Sequence, residues 1–519
     1  MTEHPKGIMI SKPEQIQSMP IELQVGQLFV VQPDPDAAYD DALNAHLEHY
    51  FGGFFLRSAN LQSIRNARVL TRRMREHWQK VPPAIIAADE EGGLVSDIGH
   101  LTTPAPSAAA LGEIDDVEVT EDVYRGIGEK LRALGINTVF APVLDVNSAE
   151  HNPVIGTRAF GRTARHVTKH GLAALRGLKK AGVATCAKHF PGHGATEEDS
   201  HETLPKVGAD RSTLTDRDLA PFVEAIERET PDLIMAAHVK YPAFDRSRPA
   251  TVSRAILRDL LRTELHYKGL IITDAMEMKG IAGNRTPAEA AVEAVLAGAD
   301  LLLYAYDREM ARAAHAGVLA AAQKGTISEE RLVESLERIF AFRSGLRSRS
   351  WIGPTEAKDT LEFAEEPLFF EAAMGGLVVE GNAGVLSEIR AAAGSKVMIL
   401  PRALDKWRKL PLDVVREQME PAGFSIIEVG ADPTPEEILA ASGRAGDASV
   451  VVVGTASRGG MPPRAKELVD AVTSRDVIKV GVALLDPTDA DAMMGANCRL
   501  KTFGFTVPQL WAMCQKLLG

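Results

Sequence analysis

Between residue 25 and about residue 310 one alternation recurs eight times: a short apolar run, then a segment of helical polar/apolar period, then another apolar run. The runs occupy 28–31, 53–56, 84–87, 138–141, 183–187, 233–236, 270–273 and 301–304. Amphipathic stretches such as 163–180 and 216–229 lie between them, the second preceded by the cap-type residues Thr213-Leu214-Thr215. Parallel strands need helical crossovers, so eight such units predict a (β/α)8 barrel. A long doubly wound sheet is the competing fold, but no Gly-rich phosphate fingerprint follows the first run.

In a barrel, function collects where the strands end at their carboxyl side. Polar residues sit there in five of the eight units. Asp89-Glu90-Glu91-Gly92-Gly93 follows the third run, Asp145 the fourth, Lys188-His189 the fifth, His238 the sixth and Asp274 the seventh. The fifth run leads into Lys188-His189-Phe190-Pro191-Gly192-His193-Gly194 and on to Asp199-Ser200-His201. Pro191, Gly192 and Gly194 exclude a regular helix, which leaves titratable groups on a loop.

Residues 326–375 read as helices and a connector, after which a second alternation begins. Its apolar runs, 376–379, 397–400, 425–428, 449–453 and 480–485, predict a smaller open α/β sandwich. The expected division is 1–325 for the barrel, 326–375 for the linker and 376–519 for the sandwich. Gly454-Thr455 and Asp486-Pro487-Thr488 end two of the later runs and are read as tight turns rather than ligand contacts.

At 519 residues the chain exceeds one ordinary core. Its formal charge of −12 argues against a nucleic-acid or anionic-membrane partner. Three scattered cysteines provide neither a disulfide framework nor a thiolate metal site. The first residues lack a signal-peptide profile and no apolar run is long enough to span a bilayer, so a cytoplasmic protein is expected. The oligomeric state is open.

Asp199 and His201, two apart, face one side of an extended segment, and a carboxylate on an imidazole makes a proton-transfer group near neutrality. A solvated polar loop is the plainer alternative. Asp274 closes a buried run, where a carboxylate is costly unless it is paired or faces a cavity. It reads as a nucleophile or general base, or as the N-cap of the next helix. His189 and His193 have the spacing of a zinc protease pair, but Pro191 and Gly192 remove the helix on which that spacing depends, so no metal is expected. A serine hydrolase lacks its Gly-x-Ser-x-Gly elbow here.

The segments Lys188–Gly194 with Asp199–His201, and 271–276 (IITDAM), resemble the signature segments of bacterial family 3 glycoside hydrolases, in the β-N-acetylhexosaminidase branch with two domains. Supporting stretches are 89–93 (DEEGG), 140–146 (FAPVLDV), 152–158 (NPVIGTR), 236–239 (AAHV) and 249–253 (PATVS). The resemblance implies a retaining exo-β-glycosidase acting on a terminal, β-linked N-acetylglucosamine, with no cofactor, in cell-wall recycling. It makes Asp274 the nucleophile and His201, oriented by Asp199, the acid/base. Asp89, Arg158, Lys188 and His189 would hold sugar hydroxyls, and Asp145 and His238 are further candidates for substrate contact. An imidazole acid/base repels an anionic acceptor less than a carboxylate does, so a β-glycoside phosphorylase is a variant of the same reading. A glycosidase of altered sugar specificity is another, and a catalytically silent sugar-binding protein is the alternative of a different class. Three residues depart from the family pattern: Leu94 and Asp97 stand where Arg-Val-x-Arg is usual, and Ala195 stands where an Asp is usual.

Overall fold

The computed structural model describes residues 18–77, 83–198, 203–282, 285–346, 361, 367–405, 408–474 and 476–519. Eight parallel strands close into a barrel: β1 (Phe29–Val31), β2 (Gly53–Phe55), β3 (Ile85–Ala88), β6 (Thr138–Val139), β7 (Ala184–Phe190), β8 (Leu233–Ala236), β9 (Leu270–Ala275) and β10 (Leu301–Tyr304). The order around the wall is β1-β10-β9-β8-β7-β6-β3-β2. Strand β1 pairs with both β10 and β2, which closes the ring and leaves no edge. All eight runs expected from sequence are strands of this wall.

Alternate residues of a strand face opposite sides. On β3, Ile85 and Ala87 enter one apolar cluster, while Ile86 and Ala88 enter another. Both sides are covered, so the strands read as unbroken apolar runs. The crossover helices carry their own end signals. Thr163 caps the helix Ala164–Ala181, and Gly182 ends it in a left-handed turn (φ 83°). Thr286 and Glu289 form a capping box on Pro287–Ala297. In the 216–229 stretch the capping residue is Asp210, whose side chain accepts from the Thr213 N–H, rather than Thr213 or Thr215.

Two features at the mouth of the barrel go beyond the sequence reading. Residues 89–93, read from sequence only as following the third run, contribute to a small antiparallel hairpin of β4 (Glu90–Gly92) and β5 (Val95–Ser96). Strand β7 runs on through Lys188 and His189 instead of ending before them. Its register against β8 slips between Lys188 and Phe190.

The helix Glu329–Leu346, inside the stretch expected as helices and a connector, packs Leu332, Leu336, Ile339 and Phe340 into a barrel cluster. Beyond it lies a six-stranded sheet in the order β11-β16-β15-β14-β12-β13. Its strands are β11 (Val378–Gly381), β12 (Lys396–Pro401), β13 (Phe424–Val429), β14 (Val450–Thr455), β15 (Ile478–Ala483) and β16 (Cys498–Lys501). Only the β11–β16 pair is antiparallel. Strand β16 was not expected, because the polar residues in Cys498-Arg499-Leu500-Lys501 break the apolar signal at the antiparallel edge. Val450 and Val452 pack on one side of the sheet, Val451 and Val453 on the other, as a sandwich requires. The two parts meet where Ser107 Oγ donates to the Phe503 carbonyl (2.6 Å) and Gln509 Nε2 donates to Ser107 Oγ (3.4 Å). Among the described residues no helix is long and apolar enough to cross a membrane.

Candidate active site

A cavity of about 760 Å³ opens at the carboxyl ends of the barrel strands, a size suited to small-molecule ligands. Asp274 stands in its wall, on the penultimate residue of β9. Its Oδ1 accepts the following Ala275 N–H at 2.7 Å. The strand end is itself held: His238 Nε2 donates to the Ala275 carbonyl (3.0 Å), and the Met276 N–H donates to Leu303 (3.0 Å). The carboxylate thus projects from a fixed element rather than from a loop.

Opposite charges gather beside it. Lys188, 2% exposed, places Nζ 2.7 Å from Asp89 Oδ1 and 2.5 Å from Glu91 Oε1. Glu91 also receives two parallel hydrogen bonds from Arg158, from Nε at 2.7 Å and Nη2 at 2.8 Å. Burial alone would raise the Glu91 pKa, but Arg158 and Lys188 outweigh it and hold it at about 2. Burial likewise opposes the charge on Lys188, and Asp89 with Glu91 overcomes it, so its pKa lies above the ordinary lysine value. Glu91 and Lys188 are buried, Asp89 and Arg158 half-buried, and the four satisfy one another, which fixes their geometry.

His189 is oriented from both sides. A guanidinium only donates, so Arg158 Nη2 at 3.3 Å makes His189 Nε2 an acceptor. The ring proton therefore lies on Nδ1, which faces Asp145 Oδ2 at 2.7 Å. Asp145 is fully buried and also accepts the backbone N–H groups of His189 and His193. Burial would raise its pKa, and His189 reverses the sign. Lys188 and His189 are successive strand residues and would ordinarily face opposite sides, yet both line the cavity. The register slip in β7 re-aims them.

Leu94 and Asp97, the departures at this end, stand near an arginine that follows another strand. Both residues line the cavity, and Asp97 is buried. Arg57, just beyond β2, donates from Nε to Asp97 Oδ1 (3.0 Å) and from Nη1 to the Tyr306 hydroxyl (2.9 Å). Asp97 Oδ2 accepts the Asp89 N–H at 3.0 Å, which ties this pair to the lysine cluster. Asp97 consequently stays near pKa 6: burial raises it against the pull of Arg57. Ala195 is half-buried against the barrel core and carries no charge into the loop. Two cations of the second part, Arg408 and Arg458, complete the cavity rim.

Of the residues singled out from sequence, Asp89, Arg158, Lys188, His189 and Asp274 share this one cavity. Asp145 and His238 do not line it: the first orients His189, the second props the strand end that carries Asp274. Asp199 and His201 lie outside the described residues. Sequence reasoning gave no role to Glu91, Arg57, Tyr306, Arg408 or Arg458. Glu91 sits inside the quoted 89–93 segment, but its partner Arg158 is 67 residues away. The turn residues of the second part are internally engaged: Thr455 Oγ1 donates to Asp489 (2.7 Å), and Asp486 caps the turn that begins at Pro487. Neither His189 nor His193 is arranged as a metal pair: His193 Nδ1 lies 2.9 Å from Thr196 Oγ1, and burial lowers its pKa to about 4.

Residues 20–342 match the family described as "Glycosyl hydrolase family 3 N terminal domain". The chain belongs to glycosyl hydrolase family 3. Among its family relatives is the beta-hexosaminidase A of Pseudoalteromonas piscicida, 36% identical over 329 residues, which are 58% of this chain and 54% of that protein. A beta-hexosaminidase of Neisseria meningitidis serogroup C is 38% identical over 264 residues, 50% of this chain and 72% of that protein. A solved family 3 beta-N-acetylglucosaminidase from a Paenibacillus species superposes with a TM-score of 0.85 at 30% identity, covering 96% of this chain and 97% of that one. The last match spans both parts of the molecule, so the barrel and the sandwich occur together in a family 3 relative.

Proposed function

We propose that the protein is a retaining exo-β-glycosidase that releases terminal N-acetylglucosamine through a covalent intermediate on Asp274. The observation that carries this reading is the carboxylate of Asp274, held on a strand end within a cavity whose wall also holds Asp89, Lys188, His189 and Arg158. The names of the hexosaminidase relatives support the amino-sugar preference. In the first half-reaction Asp274 attacks the anomeric carbon while His201, oriented by Asp199, gives a proton to the departing oxygen. In the second half water attacks the same carbon, the bond to Asp274 breaks, and its proton goes to His201. Asp89, Lys188, His189 and Arg158 bind sugar hydroxyls. Fixed ions do this well because they need not reorganise as charge develops at the anomeric centre.

Arg57 supplies the cation that the Leu94 and Asp97 positions lack, and Asp97 holds it in place. The test uses aryl β-glycosides of N-acetylglucosamine and glucose, with and without phosphate, on wild type and Asp274→Ala. A preference for the amino sugar and a fall of at least ~10³-fold in the variant are expected. Undiminished turnover by Asp274→Ala ends the nucleophile assignment. Sugar 1-phosphate as the main product moves the reading to a phosphorylase, and binding without turnover moves it to a silent carbohydrate receptor.

A further inference from the structure

Away from the cavity, three side chains of the barrel's helical ring converge. Asp115 ends the helix Ala108–Ile114 in a left-handed conformation (φ 56°) and directly precedes the N-cap of the helix Val117–Ala133. His166 and His170 stand four apart on Ala164–Ala181, one turn above the other on a single face. Their ligand atoms and that of Asp115 all lie within 4.8 Å of one another. His166 Nδ1 is 3.4 Å, and His170 Nε2 is 3.2 Å, from the same oxygen, Asp115 Oδ1.

The outer hydrogen bonds decide which electron pairs face inward. His166 Nε2 lies 3.0 Å from the Gly112 carbonyl, which can only accept, so this nitrogen carries the proton. Nδ1 of the neutral ring then directs a lone pair at a carboxylate oxygen. On His170, Nδ1 lies 2.8 Å from Thr120 Oγ1, whose own hydroxyl proton goes to the Asp116 carbonyl at 3.0 Å. The Asp115 carboxylate only accepts, so in the metal-free chain His170 Nε2–H donates to Asp115 Oδ1 at 3.2 Å; an ion that displaces this proton would leave Nδ1–H donating to Thr120. Three ligand atoms thus converge on one small volume, and with an ion in place both imidazoles would have their remote N–H anchored on oxygen, as metal-bound histidines do.

In the metal-free chain the His170 Nε2–H fills this volume, and the His170 ring is completely buried. Lys169 Nζ approaches Asp115 Oδ1 at 2.9 Å and offsets the carboxylate charge. The lysine side chain is 41% exposed and can swing into solvent.

We propose that Asp115, His166 and His170 form a binding site for a divalent transition-metal cation, Zn²⁺ or a chemically similar ion, with solvent completing the shell. Two imidazoles and one carboxylate suit such ions and leave Mg²⁺ and Ca²⁺, which take oxygen ligands, disfavoured. The ion would join the ends of three helices. It would also brace the segment carrying Arg158, because Phe160 stacks on His170 with ring centroids 5.8 Å apart. The role is structural, since these ligands do not line the cavity.

The full chain, stripped with a chelator and returned to metal-free buffer, is titrated with Zn²⁺ by calorimetry and with Co²⁺ by visible absorption. One ion per chain is expected, with ligand-field bands for Co²⁺ and a Tm raised by Zn²⁺ but not by Mg²⁺. His166→Ala and Asp115→Asn should weaken Zn²⁺ binding by ~100-fold or more and abolish the Tm shift. Asparagine tolerates the left-handed backbone, and circular dichroism verifies the fold of each variant. Lys169→Met should bind Zn²⁺ at least as tightly as wild type. The proposal is overturned if the wild type takes up no stoichiometric Zn²⁺, or if folded His166→Ala and Asp115→Asn both bind it as wild type does.

Discussion

Two clusters of buried charge sit at opposite ends of the same barrel, and they have different fates. At the carboxyl ends of the strands, Lys188, Asp89, Glu91 and Arg158 pair with one another but border an open cavity. At the amino end, Asp300 directly precedes β10 and accepts from Arg262 Nη2 (2.5 Å), Arg338 Nη1 (2.9 Å), Ser335 Oγ (2.7 Å) and the Ile271 N–H (3.0 Å). Asp300 is fully buried; its cations come from Glu329–Leu346 and from the stretch 255–264, and they tie these helices to the wall. Buried ions alone therefore do not mark a functional site. What distinguishes the upper cluster is an unfilled space into which its donors and acceptors can be turned, which agrees with the division of labour between the two faces of this fold.

The comparison is broken most sharply by separating activity from stability. Asp274→Ala should lose at least ~10³-fold in kcat while its Tm stays close to wild type, because Asp274 faces the cavity rather than the core. A Tm drop of the size expected for a core ion would place it with Asp300 instead. Lys188→Met should lose ~10²-fold in kcat/KM and also destabilise by about 3 kcal/mol, since removing one buried ion strands its partners, Glu91 above all. Glu91→Gln should show the same double loss, measured by steady-state kinetics and urea unfolding.

Asp300→Asn should give the complementary pattern: about 3 kcal/mol less stable by urea unfolding, with kcat unchanged at a temperature where the protein is folded. If kcat fell with stability intact, the two ends would not be independent.

The smallest effect concerns two neighbours in β4. Glu91 is held at about 2, so its contribution is present above pH ~4.5 and lost as pH falls toward 2. Glu90 behaves oppositely. Burial, against weaker hydrogen bonds from Ser96 and Ile98, raises it to about 8. The unfolded chain ionises near ~4.5, so its stabilising effect is complete below that pH and drains away as pH rises to about 8. Glu90→Gln should therefore flatten part of the fall in Tm between pH 5 and 8. An unaltered Tm profile would show that Glu90 is ionised in the folded protein.

The sequence was most legible where a local period carries the information. The eight apolar runs of the barrel, and the position of Asp274 at the end of the seventh, follow from repeats of two and 3.6 residues that need no partner to be read. The edge strand β16 escaped because Arg499 and Lys501 interrupt the apolar signal, and they pair with Glu380 of β11 only once the sheet exists. The roles of Asp145 and His238 were also illegible. Both follow strand ends, yet one is buried under His189 and the other behind Ala275, and no spacing distinguishes a side chain on the cavity wall from one just behind it.

Chemistry, then, was written locally: a carboxylate at a strand end, a lysine and histidine in succession, and a family signature long enough to be specific. Partnership was not. Glu91 meets Arg158 and Lys188, and Arg57 meets Asp97, only because closing the barrel brings neighbouring strand ends within hydrogen-bond reach. Side-chain periodicity is a property of consecutive residues, whereas the pairing of buried ions depends on which strands stand side by side and in what register. That is decided by packing the whole ring, and the sequence order of its charges does not contain it.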